Sequence, residues 1–370
     1  MDQIKKASTR FIVYSALITL VGCTSFGSAV LTGERVNYNA ALQITNDEQL
    51  LLNLVRLRYM DSTAFIEVSS ITAQSSFQSS IQGGRVPLPS IGPMFGITGN
   101  LGYSTQPTLV YTPLQGEDFI RRLMSPLTLE RLVLLYHSGW DIERLFSLSL
   151  KEINEIHNIS GPPHPDSVPS HEFRKFTYIV KLLGKLDAQN GVDLLMESKP
   201  DSETQQYYVH FFAHVLETSE AQDLVSLLEL QPNQNYYRLA YPSVQKEKAP
   251  VQDTIYLRPR SLLGIMSFLS QGVEVPRQHD QEGIRITSSL YEFLHLPNEK
   301  KPHGFSLKVK SQSTRPQRAA VAVHYRDYWF FIDDADLESK GTFSLLNQIF
   351  ALQASAISVT PPVLTLPVGQ

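Results

Sequence analysis

The chain has 370 residues, a formal net charge of −4, 42% hydrophobic residues and 18% charged residues. This composition supports one large or two modest folded domains and excludes a compositionally disordered chain. The mildly acidic balance, with no basic block in the sequence, argues against nucleic acid as a partner.

Residues 1–22 have the pattern of a bacterial export signal. Lys5, Lys6 and Arg10 form a basic start, and an apolar run follows at residues 11–21. That run is too short to span a bilayer as a helix, which needs about 20 residues. A basic start followed by a short apolar run is typical of a signal peptide that is removed from the mature protein.

The chain's one cysteine lies directly after this signal. The segment Leu20-Val21-Gly22-Cys23 resembles the lipobox of bacterial lipoproteins. The resemblance implies cleavage after Gly22 and acylation of Cys23, for example with palmitate. Thr24 stands where lipoproteins retained in the inner membrane usually carry Asp, which favours the periplasmic face of the outer membrane of a Gram-negative bacterium. The alternative is an ordinary secretory signal with a cysteine there by chance.

The mature chain is predicted to begin with a lipidated tether at residues 23–45. The first helix is expected to begin at Asn46, because Asn46 and Gln49 have the spacing of a capping box and leucines at helical spacing follow. We expect this helix to end near Tyr59. It opens an N-terminal region of helix, β-hairpin and further helices at residues 46–157.

Residues 64–111 are predicted to form a β-hairpin with a long loop. Ala64–Ile81 and Ile97–Tyr111 have strand composition, and the stretch Gly83–Gly102 is rich in Gly and Pro. The hairpin has few charges and many Ser, Thr and Gln residues. Two roles stay open for it: pairing with the edge of a partner's sheet, or insertion into the membrane. The alternation of apolar residues from Ile97 obeys the membrane pattern only in part.

The rest of the chain is predicted to alternate helices and strands. Residues 158–170, rich in Pro and Gly, are predicted to be a linker, followed by a C-terminal α+β domain at residues 171–370. Arg326-Asp327 is short enough to be the turn of a tight hairpin. Mostly antiparallel strands with interspersed helices favour an α+β fold for the whole.

The histidines do not predict a metal site. His210 and His214 have the spacing of a metal-binding pair on a helix. Their aromatic surroundings predict a strand instead, on which they would lie about 13 Å apart. His157, His164 and His171 recur every seven residues, but the middle one lies in the Pro- and Gly-rich stretch.

Other polar groups are also better explained by structure than by chemistry. Asp333, Asp334 and Asp336 precede a predicted helix and favour a helix cap over a calcium loop. Arg56 and Arg58 cannot share one face of a helix, so we expect one to pair internally and one to meet solvent, an anion site being the alternative. The common nucleophile, phosphate-loop and zinc-protease motifs do not occur in the sequence. We therefore predict no catalytic residue and no cofactor.

Four segments resemble a family of proteobacterial envelope lipoproteins that has no assigned activity. They are Asn46–Ser70 (NDEQLLLNLVRLRY…FIEVSS), Tyr111–Glu117, Ser138–Trp140 and Tyr325–Asp334 (YRDYWFFIDD). The resemblance extends over most of the chain. It implies a location in the cell envelope and assigns no functional residues.

The sequence therefore predicts a non-enzymatic outer-membrane lipoprotein that is a structural or assembly component of an envelope complex. Its predicted partners are the membrane, through Cys23, and either an envelope protein or further copies of itself. The alternative is a periplasmic enzyme or ligand carrier that acts on glycan or lipid.

Overall fold

The computed structural model describes residues 26–86, 94–158, 171–198, 205–242, 252–282 and 307–354. Cys23 and the predicted signal lie outside these residues. The described chain divides into two units, which we call the core unit (residues 26–63 and 123–353) and the hairpin unit (residues 64–122).

Helices and strands alternate along most of the chain. The helices are α1 (Phe26–Arg58), α2 (Glu117–Met124), α3 (Leu129–His137), α4 (Ile142–Ser149), α5 (His171–Ala188), α6 (Ser219–Leu227), α7 (Leu262–Ser270), α8 (Arg277–Gln281) and α9 (Leu337–Ala354), with a 3₁₀ turn at Ala213–Val215. The strands are β1 (Ile66–Val86), β2 (Met94–Pro113), β3 (Leu150–Ile153), β4 (Ile156–His157), β5 (Val192–Ser198), β6 (Gln205–Phe211), β7 (Tyr236–Ala240), β8 (Thr254–Pro259), β9 (Lys310–Gln312), β10 (Ala319–Tyr325) and β11 (Tyr328–Asp333). In the described residues, no helix is both long and apolar enough to cross a membrane.

Side-chain caps fix where several helices begin. Thr128, Asp141, Thr218 and Ser261 each accept a hydrogen bond from the backbone N–H three residues later, at 2.7–3.3 Å. Such caps satisfy a backbone donor that has no partner within the helix. Asp336 does the same for α9, since its carboxylate accepts from Ser339 N at 3.1 Å. The prediction that this acidic segment caps a helix is confirmed.

A six-stranded sheet forms the main layer of the core unit, in the order β4-β3-β8-β7-β6-β5. Neighbouring strands are antiparallel except β7 and β8, which are parallel. Alternate residues of the central strands, including Val209, Phe211, Tyr237 and Leu257, are buried. Helices α4, α5 and α6 pack in sequence, and α5 contacts β4 and β5.

A second, three-stranded sheet has the order β10-β11-β9. Arg326 and Asp327 form the turn between β10 and β11 with φ of 46° and 66°. Positive φ at both turn residues is the two-residue hairpin geometry that matches strand twist, so the predicted tight hairpin is confirmed. Helix α1 packs on α7 and β10, and its residues Leu51, Leu54 and Val55 are fully buried.

The hairpin unit is dominated by β1 and β2, which pair antiparallel from Ile66–Pro113 to Val86–Met94. One bulge interrupts the register, between Val68 and Ser70. The hairpin is closed at its base by the hydrogen bond from Leu114 N to Phe65 O, at 2.9 Å.

The α+β class is confirmed, and so is the hairpin, but two local predictions are wrong. Helix α1 begins at Phe26, so residues 26–45 are helical where a tether was predicted and Asn46 lies inside the helix. No proline interrupts residues 26–58, and the polar surface of residues 36–46 belongs to a solvated helix. The predicted long loop between Ile81 and Ile97 is shorter than expected, since residues 82–86 and 94–96 belong to the strands and glycine weakens a strand without ending it. Only residues 87–93 of it lie outside the described chain.

The predicted linker at 158–170 also falls largely outside the described residues. Strands β3 and β4 precede it and β5–β8 follow it, yet all six belong to one sheet. The division of the chain into units therefore follows the hairpin rather than this segment.

Candidate functional site

The ladder of β1 and β2 gives the hairpin two chemically different faces. Paired residues of an antiparallel ladder share a face, and faces alternate along each strand. The bulge inserts one extra residue, which keeps Ile66 and Val68 on the same face as Ile71. On that face lie the pairs Ile66–Pro113, Val68–Tyr111, Ile71–Leu109, Ala73–Pro107, Ser75–Thr105, Phe77–Tyr103, Ser79–Leu101, Ile81–Gly99, Gly83–Ile97 and Arg85–Phe95.

The opposite face is polar but almost uncharged. Its pairs are Glu67–Thr112, Ser70–Val110, Thr72–Thr108, Gln74–Gln106, Ser76–Ser104, Gln78–Gly102, Ser80–Asn100, Gln82–Thr98, Gly84–Gly96 and Val86–Met94. We call the two sides the apolar face and the polar face. At the base of the hairpin, Ile66, Leu109 and Tyr111 of the apolar face are 47%, 42% and 60% exposed, so apolar surface there is uncovered.

Charged residues of this ribbon lie only near its two ends, at Glu67 and Arg85. The sequence has no Asp, Glu, Lys or Arg between Glu67 and Arg85, or between Arg85 and Glu117. Folded proteins usually protect exposed strand edges with charges, prolines or bulges. In β1 from Ser70 to Gly84 none of these devices is present, and in β2 Pro107 is the one proline before Pro113.

A second polar site lies in the core unit, where α1, α8 and the turn between β10 and β11 meet. We call Tyr59, Asp61, His279, Tyr325 and Arg326 the Tyr59 cluster. The Tyr59 hydroxyl lies 2.8 Å from His279 Nδ1. Asp61 Oδ2 accepts hydrogen bonds from the Tyr325 hydroxyl and, at 2.9 Å, from Arg326.

The electrostatics of the Tyr59 cluster favour a structural role. Burial raises the pKa of Tyr59 to about 12, although Arg326 and Arg58 oppose the shift. The Arg326 guanidinium lies over the Tyr59 ring, 4.9 Å from its centroid. The cluster therefore ties three segments together by hydrogen bonds and ring contacts.

The two arginines before this cluster differ in their surroundings. Arg58 is buried and donates from Nε to the backbone carbonyl of Val273 at 3.2 Å. Arg56 is half-buried and donates to Asn53 at 3.4 Å.

His210 and His214 lie in different elements, and His164 lies outside the described residues. His210 lies on β6 and stacks on Tyr236, with ring centroids 4.4 Å apart, whereas His214 lies in the 3₁₀ turn. The expectation that both share one strand was wrong. His157 lies between two carboxylates, 3.2 Å from Glu152 and 3.3 Å from Glu172. Within the described ranges, no three His, Cys, Asp or Glu side chains are placed to hold a metal ion.

The acidic residues before α9 are engaged in ion pairs. Lys310 Nζ lies 2.7 Å from Asp333, and Lys340 Nζ lies 2.6 Å from Asp334. The hydrogen bond from Lys310 lowers the pKa of Asp333. These carboxylates are used in pairs and caps rather than gathered around one point.

Glu143 is the described carboxyl group with the largest upward pKa shift. Its Oε1 is buried without a hydrogen-bond partner, and it lies where α4 closely approaches Gly184 of α5. Burial, with repulsion from Asp141 and Glu338, raises its pKa to about 7, although Lys181 and Arg144 oppose the shift. Among the described residues around Glu143, nothing else indicates a substrate site.

We expect Glu143→Gln to remove a pH-dependent loss of stability. The native carboxyl holds its proton up to about pH 7, whereas its ordinary pKa is 4.5, so the parent loses stability as pH rises between these values. The amide should therefore stabilise the core unit by about 1–2 kcal/mol near pH 8, with little effect near pH 5, after allowance for a partly exposed group. Urea unfolding followed by tryptophan fluorescence measures this, because Trp140 and Trp329 both lie in the core unit.

The matched control for this experiment is Glu217→Gln, which changes an exposed carboxylate. It should leave the pH dependence as in the parent. An equal gain at both pH values for Glu143→Gln would contradict the raised pKa.

A small cavity of about 250 Å³ lies between α6 and the ends of β6 and β7. Phe211, Val225, Leu230 and Tyr237 give it an apolar lining. Ligand sites for small molecules are usually larger, about 300–1,000 Å³.

Comparison of the chain with protein-family models, with curated proteins and with solved structures finds no match. The candidate site must therefore be judged on geometry alone. The hairpin stands out, because its two-faced register and its long uncharged stretches have no role within a two-stranded ribbon.

Proposed function

We propose that this chain is a lipid-anchored, non-enzymatic component of the bacterial outer membrane that joins a larger envelope complex through its β1–β2 hairpin. The anchor is Cys23, and the proposed location is the periplasmic face. The observation that carries the proposal is the register of the hairpin, which separates a mainly apolar face from a polar face over about 20 residue pairs, with Glu67 and Arg85 as the only charged residues among them.

Physical chemistry supports an assembly role for such an element. An isolated two-stranded hairpin is at best marginally stable in water, and further strands or packed surfaces are needed to stabilise it. The uncovered residues at its base and the uncharged edges above them are features of a surface that a partner covers. A lipid anchor adds to this by holding the chain at a membrane, where assembly partners are concentrated.

Within the part of the chain that the structure describes, the cavity next to α6 supports the ligand-carrier alternative. Its volume of about 250 Å³ suits a short apolar group rather than a whole lipid or glycan. Four of the acidic and histidine side chains singled out in the sequence, His157, Asp333, Asp336 and His210, are engaged in ion pairs, a helix cap and ring contacts. The ligand-carrier and enzyme hypotheses therefore have less support than the assembly hypothesis.

The test compares the full lipidated chain with a variant whose hairpin is trimmed. Residues 69–110 are replaced by Asn-Gly, which joins the paired residues Val68 and Tyr111 through a two-residue turn. We expect cross-linking in membranes and native mass measurement in mild detergent to show complexes for the full chain and monomers for the trimmed chain. Both should give the same tryptophan-monitored unfolding of the core unit.

Two further results complete the test. Cys23→Ala should abolish labelling of the protein with radioactive palmitate, which tests the anchor independently of assembly. A full-length lipidated chain that is strictly monomeric and partner-free in both measurements would contradict the proposal, and a bound small molecule in the mass spectrum would favour the carrier.

A further inference from the structure

The hairpin is long enough to cross the hydrocarbon layer of a membrane. From Ile71 to Gly83, the residues of its apolar face lie along about 40 Å of strand, at about 3.3 Å per residue. Tilted by about 45°, that length spans about 28 Å, close to the thickness of a bilayer's apolar core. The first charges in β1 on either side of this stretch are Glu67 and Arg85.

A single hairpin cannot occupy that layer, because each of its strands has one unpaired edge. Backbone N–H and C=O groups in hydrocarbon must find partners within the protein, since no water is there to bind them. Each outer edge of the ribbon therefore needs another strand of similar length and pattern. The polar face must also be kept away from lipid, which a curved sheet with that face inside achieves.

We propose that hairpins from several copies of this chain pair edge to edge, β1 of one copy against β2 of the next, and that the resulting sheet crosses the membrane with its apolar face towards lipid. This inference rests on the proposed assembly function and names its partner as further copies of the same chain. A second copy supplies a strand of the same length, the same lack of charge and the same alternation. Head-to-tail contacts of this kind form rings when the rotation closes.

Cysteine cross-linking tests the pairing of edges. Cys23 is the only cysteine in the sequence and is used for the anchor, so an introduced cysteine is the only free thiol of the mature chain. One tagged copy carries Gln74→Cys on β1, and a second carries Gln106→Cys on β2, with Ser104→Cys and Thr108→Cys to allow for stagger. We expect mixed disulfide dimers for one of these combinations in membranes, and none when every copy carries Gln74→Cys alone.

A second measurement tests the orientation of the faces. An environment-sensitive dye is placed at Ala73→Cys on the apolar face or at Thr72→Cys on the polar face of the full lipidated chain. The proteins are reconstituted into vesicles of phosphatidylethanolamine and phosphatidylglycerol that carry a nitroxide on the acyl chains. We expect strong quenching at residue 73 and weak quenching at residue 72, with the same contrast at residues 77 and 76.

The outcomes separate this inference from the function on which it rests. Hairpin-dependent complexes without mixed disulfides would leave the assembly function standing and overturn pairing between copies, indicating a different protein as partner. Mixed disulfides with equal quenching at residues 72 and 73 would overturn the crossing of the membrane. Monomers in every measurement would overturn both proposals.

Discussion

Replacing Arg260 by Met is expected to lower the free energy of unfolding of the core unit by about 2–4 kcal/mol. The guanidinium is buried, and its Nη1 donates to the carbonyls of Ser147, Leu148 and Leu150 at 3.3, 3.0 and 2.7 Å. These carbonyls lie where α4 ends and β3 begins, and a helix leaves its last carbonyls without partners inside the helix. Burial lowers the pKa of Arg260 to about 9, so the group still carries its charge near neutral pH.

Arg260 shares this task with one other side chain. Asn158 Nδ2 donates to the carbonyls of Ser147 and Leu150 at 3.0 and 2.9 Å. Arg260→Met should therefore remove the donor to Leu148 and the contact with the Phe268 ring, whose centroid lies 3.9 Å from Cζ. Asn158 still donates to the carbonyls of Ser147 and Leu150, which limits the decrease in the free energy of unfolding.

Because Arg260 and Asn158 donate to the same two carbonyls, we expect their effects on the free energy of unfolding to be strongly coupled. Asn158→Ala alone should cost about 1–2 kcal/mol, because Arg260 still donates to both carbonyls. The double variant should cost about 1–3 kcal/mol more than the sum of the single variants, since those buried carbonyls then lose both donors. Urea unfolding followed by fluorescence of Trp140 and Trp329 measures the cycle. Additive effects would show that water replaces the lost donors.

Local signals in the sequence account for most elements that were predicted well. The turn Arg326-Asp327 is short and lies between two strands with clear alternation, so only one hairpin geometry fits it. The cap at Asp336 follows from an acidic residue directly before an apolar helical pattern. In both places the local structure is determined by residues that lie close together in the sequence.

The elements that were missed depend on contacts far along the chain. The Tyr59 cluster joins Tyr59 to His279 and Asp61 to Arg326, pairs more than 200 residues apart in sequence. No spacing rule connects such residues in a single sequence. The first half of α1 was predicted as a tether because its polar residues resemble a loop by composition, although no proline breaks the helix.

The two faces of the hairpin, which form the candidate functional site, could also be predicted only in part from the sequence. Composition alone predicts two strands, but the alternation of apolar and polar residues is incomplete within either strand taken singly. The register pairs Ser79 with Leu101 and Gly83 with Ile97, so a small or polar residue on one strand faces an apolar one on the other. The bulge before Ser70 then brings the base of β1 into the same pattern. Only the pairing reveals one apolar face.

Gly272→Ala is the other substitution with a large expected effect, a loss of about 2–4 kcal/mol in the stability of the core unit. A Cβ at residue 272 would lie 1.9 Å from the carbonyl oxygen of Leu307, which is backbone and cannot move aside alone. Gly272 O also accepts a hydrogen bond from Val309 N at 3.0 Å. The added methyl group must therefore separate the end of α7 from the segment that leads into β9. Arg58, which donates to Val273, would be disturbed with it.

Gly264→Ala within α7 is the matched control, because it adds the same methyl group without a backbone clash. The nearest atom to its new Cβ would be Ser261 Oγ at 3.2 Å, a hydroxyl that can shift slightly. Alanine is favoured over glycine inside a helix by about 1 kcal/mol, so this variant should be neutral or slightly stabilised. Urea midpoints for the two variants give the comparison directly. Equal midpoints would mean that residues 307–309 can move away from α7 at little cost, and that the tie between α7 and the three-stranded sheet is loose.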